Sequence, residues 1–205
     1  MSSDLIVVQP TFYERENRGP PDTDPGELSK LDFSPDIIHE ARQIWLELNI
    51  KNIKGNMRKK LRVFCIFVAH MKLSITQDFE YIAEKIAIDP KKAKVCFKDF
   101  SENNTGYALP LFQFTIHGFL DLYIDRLNLG SYESEIKELV SDILRRDTTE
   151  SLKYEQKPQN VAAGFLVYFL RCKQEKITVK FYQKIYKKKE TINTVHSDIV
   201  RISVD

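Results

Sequence analysis

Cysteine is scarce in this sequence: Cys65, Cys96 and Cys172 are odd in number and far apart. A disulfide framework is not expected, and a reducing compartment is the default. Each cysteine lies in an apolar stretch and reads as a small buried hydrophobe. Long hydrophobic runs are also missing. None reaches the roughly 18 residues that a membrane crossing needs, so no membrane partner is expected. The first ten residues, MSSDLIVVQP, have neither the basic start nor the apolar length of a secretory signal. There is no Gly-rich phosphate loop and no G-x-S-x-G. The four histidines, His39, His70, His117 and His196, show no metal-ligand spacing. Cys65 and His70 are five apart on one predicted helix and point to different sides, which disfavours a nucleophile pair. With no catalytic constellation, the expectation is a non-enzymatic protein without cofactor or metal.

What is present is a globular hydrophobic fraction of 42% and an uneven distribution of charge behind a net +2. Residues 1–36 hold eight acids against three bases, and residues 51–100 hold twelve Lys/Arg against five Asp/Glu. Residues 121–156 return to a balance of −4, and residues 171–201 to +6. A solvated charged face explains any one such run. Two basic segments in comparable positions, parted by an acidic one, suit a polyanion touched at two places.

Residues 1–35 contain Pro10, Pro20, Pro21, Pro25 and Pro35 and no sustained period, the composition of a mobile arm with few contacts to the rest. Helical periodicity then takes over. Ser34-Pro35-Asp36 starts a helix using Ile37, Ile38, Ala41, Ile44, Trp45 and Leu48. Asn56 is placed to cap a second helix, apolar on most sides from Leu61 to Met71 and therefore central and buried. Thr76 opens a short helix, and Asp89-Pro90 caps another through Ala93, Cys96 and Phe100. Residues 101–110 read as a linker. The second half predicts a helix through Phe114, Ile116, Phe119, Leu120 and Tyr123, and an amphipathic helix over 133–146. A nearly all-apolar helix follows, including 161–170, then helices over 178–186 and 191–202. Cys65, Ala69, Ala162, Ala163 and Tyr168 are expected at the centres of the two halves, with Ala162, Ala163 and Gly164 permitting close helix approach.

The halves run parallel. VFCIFVAHMK answers to VAAGFLVYFLRCK, SITQDFEYIAEKI to KITVKFYQKIY, and DPKKAKVCFKDF to KKKETINTVHSDIVRI. A spacing of about 100 residues exceeds a solenoid period and fits two copies of a compact helical domain. On these segments, with FLDLYIDRLNLGSYESEIKELVSDIL (119–144), the chain resembles over 36–202 the core of transcription factor IIB. The resemblance implies an all-α fold of two cyclin-type five-helix repeats. They would occupy 36–102 and 111–205, joined by a linker at 103–110 and preceded by the arm 1–35. The first helix of the first repeat is hard to find: either residues 11–33 supply a degenerate substitute, or that repeat is incomplete. The implied partners are double-stranded promoter DNA, TATA-binding protein and RNA polymerase. The implied location is the nucleus, or the cytoplasmic factory of a large DNA virus. The zinc ribbon of that family is missing, because residues 1–35 hold no Cys or His.

In each half the last two helices form a candidate helix–turn–helix, with lysines and an arginine for flanking phosphates. The residues expected at DNA are Lys91, Lys92, Lys94 and Lys98 in the first half. In the second they are Lys184, Lys187, Lys188, Lys189, Thr194, His196 and Arg201. The resemblance puts His196 where relatives present an arginine to the bases, and an imidazole contacts a base more weakly than a bidentate arginine. Two other readings compete: a cyclin-like module that binds a kinase or another protein through an apolar groove, and a structural adaptor that has kept the fold without DNA binding.

Overall fold

The computed structural model describes residues 25–50, 53–148, 150–154 and 156–204, and among these every regular element is helical. The first half comprises α1 (Pro35–Leu48), α2 (Gly55–Lys72), α3 (Phe79–Lys85), α4 (Pro90–Ala93) and α5 (Cys96–Asp99), followed by the single turn α6 (Glu102–Thr105). The second comprises α7 (Ile116–Leu127), α8 (Glu133–Arg146), the single turn α9 (Ser151–Tyr154), α10 (Pro158–Cys172), α11 (Val179–Lys184) and α12 (Lys189–Val204). No described helix is long and apolar enough to cross a membrane.

Local chemistry accounts for several of the boundaries. The Ser34 side chain accepts the Ile37 N–H at 3.4 Å, with Pro35 in the first turn, where its missing N–H costs nothing. Asn49 then ends α1 in the left-handed region, a conformation that asparagine tolerates. Thr115 and Asp89 likewise accept N–H groups, from Gly118 and Lys92, at 3.0 Å. Other boundaries differ from expectation. Helix α2 starts at Gly55 after Lys54, so Asn56 lies inside its first turn and does not cap it. Helix α3 starts three residues after Thr76, and Phe114 precedes α7 outside any regular element. The expected helix over 89–100 is loosened into α4 and α5 at Lys94 and Val95, both still in the right-handed helical region.

Each half has its own hydrophobic core around one central helix. Helix α2 buries Leu61 and every residue from Val63 to His70; α10 buries Val161 to Val167, Phe169 and Leu170. Cys65, Ala69, Ala162 and Ala163 are fully buried as expected, whereas Tyr168 is only half-buried and faces His196. Phe114 packs against both cores, its ring 5.6 Å from Phe67 and 5.7 Å from Phe119.

The internal parallel extends to backbone detail. After α2 the left-handed Ser74 bonds back to the Met71 carbonyl, and Ile75 to that of His70. After α10 the left-handed Gln174 bonds back to Arg171, and Glu175 to Leu170. The same double bond recurs at Ala87 and Ile88 after α3, and at Tyr186 and Lys187 after α11. Such paired bonds satisfy carbonyls that a helix end would leave open. Lys72 reaches Glu40 at 2.6 Å, and Lys173 reaches Glu135 at 2.6 Å. In both halves the end of the central helix is therefore tied to a neighbouring helix, α1 in one and α8 in the other.

Helix α7 has no helical counterpart ahead of α1 among the described residues. A 3₁₀ segment, Pro25–Lys30, stands there instead. It corrects the reading of residues 25–34 as a detached arm, because Leu28 is 1% exposed inside the first core. Glu27 pairs with Arg58 and Arg62 of α2, and Phe33 packs edge-on against His70 and Tyr81. One apolar side chain buried in the first core outweighs the flexibility that the prolines suggest. Residues 1–24 lie outside the described residues.

Candidate nucleic-acid interface

The two basic segments meet at the junction of the halves. Glu80, on the first turn of α3, receives Lys94 Nζ at 3.2 Å from the α4–α5 turn. On its other side Lys187 Nζ lies 3.7 Å away, from the turn between α11 and α12. The charge balance along the sequence shows two basic segments but not their convergence on one acidic side chain. Burial pushes the Glu80 carboxyl up, but Lys187, a backbone N–H and Lys94 together outweigh it, and the net shift is downward. The residue is therefore an anion near neutral pH.

Exposure sorts the candidate residues. Lys91, Lys92, Lys94, Lys98, Lys184, Lys188 and Lys189 each reach solvent at least in part, as do Thr194 and Arg201. Lys94 keeps a side chain 58% exposed although it touches Glu80, so the pair is a surface one of small energetic weight. Lys187 is different. Its side chain is 6% exposed, and Nζ donates to Asp78 Oδ1 at 3.2 Å. It is spent on an interior carboxylate and does not present its charge to a partner, which corrects its place among the phosphate contacts. The sequence KKK at 187–189 carries no sign of this difference.

The residues around Asp78 were not legible as a site. Asp78 precedes α3 as its cap residue, yet its side chain makes no cap bond. It is fully buried and turned toward the second half. The Tyr123 hydroxyl donates to Oδ1 at 3.0 Å and Arg126 Nη1 donates to Oδ2 at 2.6 Å, both from α7. Arg126 also donates to Gln77 Oε1. Its guanidinium lies 4.8 Å from the Tyr81 ring centre and 5.4 Å from that of Tyr186, and the two rings meet edge-on at 5.9 Å. Burial, followed by the charge of and bond to Asp78, holds the Tyr123 hydroxyl far above its usual range, so it stays a donor. Gly118 brings α7 close: a Cβ there would collide with Thr76 Oγ1. The parts come from segments far apart in the chain, so only the assembled fold brings them together.

Beside this junction a groove of about 890 Å³ opens between Glu84 of α3 and the α11–α12 turn. Ile177, Val179, Tyr182 and Tyr186 line it, with Lys187, Lys188 and Lys189 along one side. Burial, then a hydrogen bond to Glu84, pushes the Tyr186 hydroxyl up to about 12.

Further along α12 the expected base contacts are constrained. Thr194 Oγ1 donates to the Glu190 carbonyl at 3.4 Å. His196 lies against Tyr168 and 3.2 Å from the Arg171 guanidinium. Burial, and then the arginine, lower its pKa, which leaves a neutral imidazole that can accept a hydrogen bond from Arg171. Arg201 is paired loosely with Asp198 at 3.7 Å and stays 71% exposed. Among the described residues no group of three or more His, Cys, Asp or Glu side chains is placed to hold a metal ion. No protein-family model matches the chain, and comparison with curated proteins finds no match.

Proposed function

We propose that the chain is a factor-IIB-like initiation factor, built of two cyclin-type repeats, that binds double-stranded promoter DNA together with TATA-binding protein. One observation carries this reading. The two halves have matching turns and meet at Glu80, which receives Lys94 from one and Lys187 from the other, and solvent-facing lysines adjoin each contact along the chain: Lys91 and Lys92 in the first half, Lys184, Lys188 and Lys189 in the second. A strip of this kind fits the regular charge of a phosphate backbone, and neutralising phosphates releases condensed counterions. The contacts would position the protein on the duplex and carry little sequence information. With Thr194 bonded back to its own helix and His196 held against Arg171, base discrimination falls to shape and to TATA-binding protein. Engagement of RNA polymerase would have to use surfaces other than a zinc ribbon.

The test is a gel shift on promoter DNA, with and without TATA-binding protein, across a salt series. Changing Lys91/Lys92/Lys94 or Lys184/Lys188/Lys189 to alanine should weaken binding on all sequences alike. The salt slope should flatten by roughly one unit for each phosphate no longer neutralised. Changing Lys54, Lys153 and Lys157 instead should have little effect, and an equal weakening there would reduce the strip to generic basicity. A second reading, docking of a protein segment, rests on the exposed Val179 and its neighbours Ile177, Tyr182 and Tyr186 in the groove. Failure of the wild type to retain DNA at any salt, with TATA-binding protein present, selects that reading.

A further inference from the structure

We infer that Asp78 and Lys187 are positioning residues that fix the angle between the two helical halves, and that the lysine strip exists as one composite surface only while they are joined. The inference rests on the DNA-binding reading for its consequence and on geometry for its cause.

Lys187 stands in the second half where Ile88 stands in the first. Each follows a left-handed residue, and each bonds its N–H to a carbonyl five residues back, Tyr182 for one and Ala83 for the other. Ile88 is 9% exposed and serves its own core. Lys187 leaves its own half and crosses to the fully buried Asp78. Four groups from three segments converge there: Asp78, Tyr123, Arg126 and Lys187. Buried ionic groups contribute little net stability compared with apolar packing, and their best-attested use is to fix register. Apolar contacts such as Phe67–Phe114–Phe119 hold the halves together while tolerating small rotations. Hydrogen bonds of 2.6–3.2 Å to a carboxylate do not. Since Lys188 and Lys189 adjoin Lys187, and Lys94 shares Glu80 with it, the junction also sets the distance between the two sets of solvent-facing lysines.

The decisive variant is Asp78→Asn/Lys187→Met. It leaves net charge unchanged and puts an apolar side chain where the first half already carries one, so the second half is expected to fold. Pulsed electron resonance between spin labels on the exposed native Cys172 and on His39→Cys of α1 reports, as a distance distribution, how firmly the halves are held relative to each other, the other two cysteines being buried. Wild type should give one narrow distance distribution. The double variant should give one at least about twice as broad with unchanged helical circular dichroism, because the Lys187 bonds are gone and the amide of Asp78→Asn, with one acceptor oxygen, cannot hold Tyr123 and Arg126 as the carboxylate does. DNA affinity should fall about tenfold or more despite the equal charge, since the surface is no longer pre-organised. Lys188→Met should leave the distribution narrow. Tyr123→Phe, which removes one hydroxyl, should broaden it to a smaller degree and serves if the double variant does not fold. A distribution as narrow as wild type in both junction variants overturns the inference. A broad distribution with unchanged DNA affinity overturns the composite surface. If wild type binds no DNA, the initiation-factor reading falls, and the distance measurement still decides the positioning role.

Discussion

Gly164 of α10 and Val195 of α12 approach so closely that a Cβ on the glycine would lie 2.9 Å from Val195 Cγ1 and 3.0 Å from Ile199 Cδ1. The central helix and the last helix of the second half are packed on this contact. Gly164→Leu should therefore overpack the core and cost roughly 1–3 kcal/mol. Ala163→Leu, one residue earlier and equally buried, should cost a similar amount. Thermal unfolding followed by circular dichroism checks both, and melting at the wild-type temperature would contradict the packing.

Leu28 is expected to behave as a core residue despite its Pro-rich surroundings. Leu28→Ala should lower stability by roughly 2–5 kcal/mol, the range for truncating a buried leucine. Urea unfolding measures the difference. The exposed neighbour Ser29, changed to alanine, should stay within about 0.5 kcal/mol of wild type.

Stability should fall as pH drops from about 6.5 toward 5, where histidine in the unfolded chain takes up a proton. His70 is 4% exposed, and its Nδ1 lies 2.8 Å from the Ile66 carbonyl, to which it donates. Burial lowers its pKa and the carbonyl bond only partly restores it, so the folded protein resists the proton that the unfolded chain accepts. The unfolded state binds more protons, and stability rises with pH across this window by at most about 1.4 kcal/mol per unit for one such group. His196 shifts the same way and adds to the trend. Urea midpoints at pH 7, 6 and 5 should show it, with a shallower trend in His70→Gln. Glu80 acts in the same direction but at lower pH, below its ordinary carboxylate range, so the step above about pH 5.5 belongs to the histidines.

A thiol reagent should modify Cys172 quickly and the other two cysteines only on unfolding. Cys65 and Cys96 are buried as expected, whereas Cys172, at the end of α10, is exposed, which corrects its reading as a buried hydrophobe. Burial pushes the Cys96 thiol up to about 12 and the Cys65 thiol well above its usual range, so neither supplies the reactive thiolate. Counting released chromophore should give one equivalent in native buffer and three in urea.

The helices and the two central elements were legible because burial on all sides leaves a mark on composition: α2 and α10 read as apolar around their circumference. The internal parallel was legible because both halves spell it in similar residue classes. Leu28 was not, since one buried leucine between Pro25 and Pro35 produces no period. Nor could periodicity separate Lys187 from Lys188 and Lys189. That distinction depends on a left-handed turn at Tyr186 and on a carboxylate 109 residues earlier in the chain. Asp78 looked like part of a helix start, and only the placement of Tyr123 and Arg126 shows what holds it instead.

The shared carboxylate also has a consequence for the order of events during synthesis. Nearly all the residues that enclose the first core are made before α7 emerges from the ribosome, so that half can close early. Asp78 must wait in water at that stage, because the hydroxyl, guanidinium and ammonium groups that will surround it have not yet been translated. The last of them, Lys187, arrives with only α12 still to follow. Dehydration of Asp78 is thus completed late in folding, and a chain interrupted before α7 would leave in water a carboxylate that the finished protein buries.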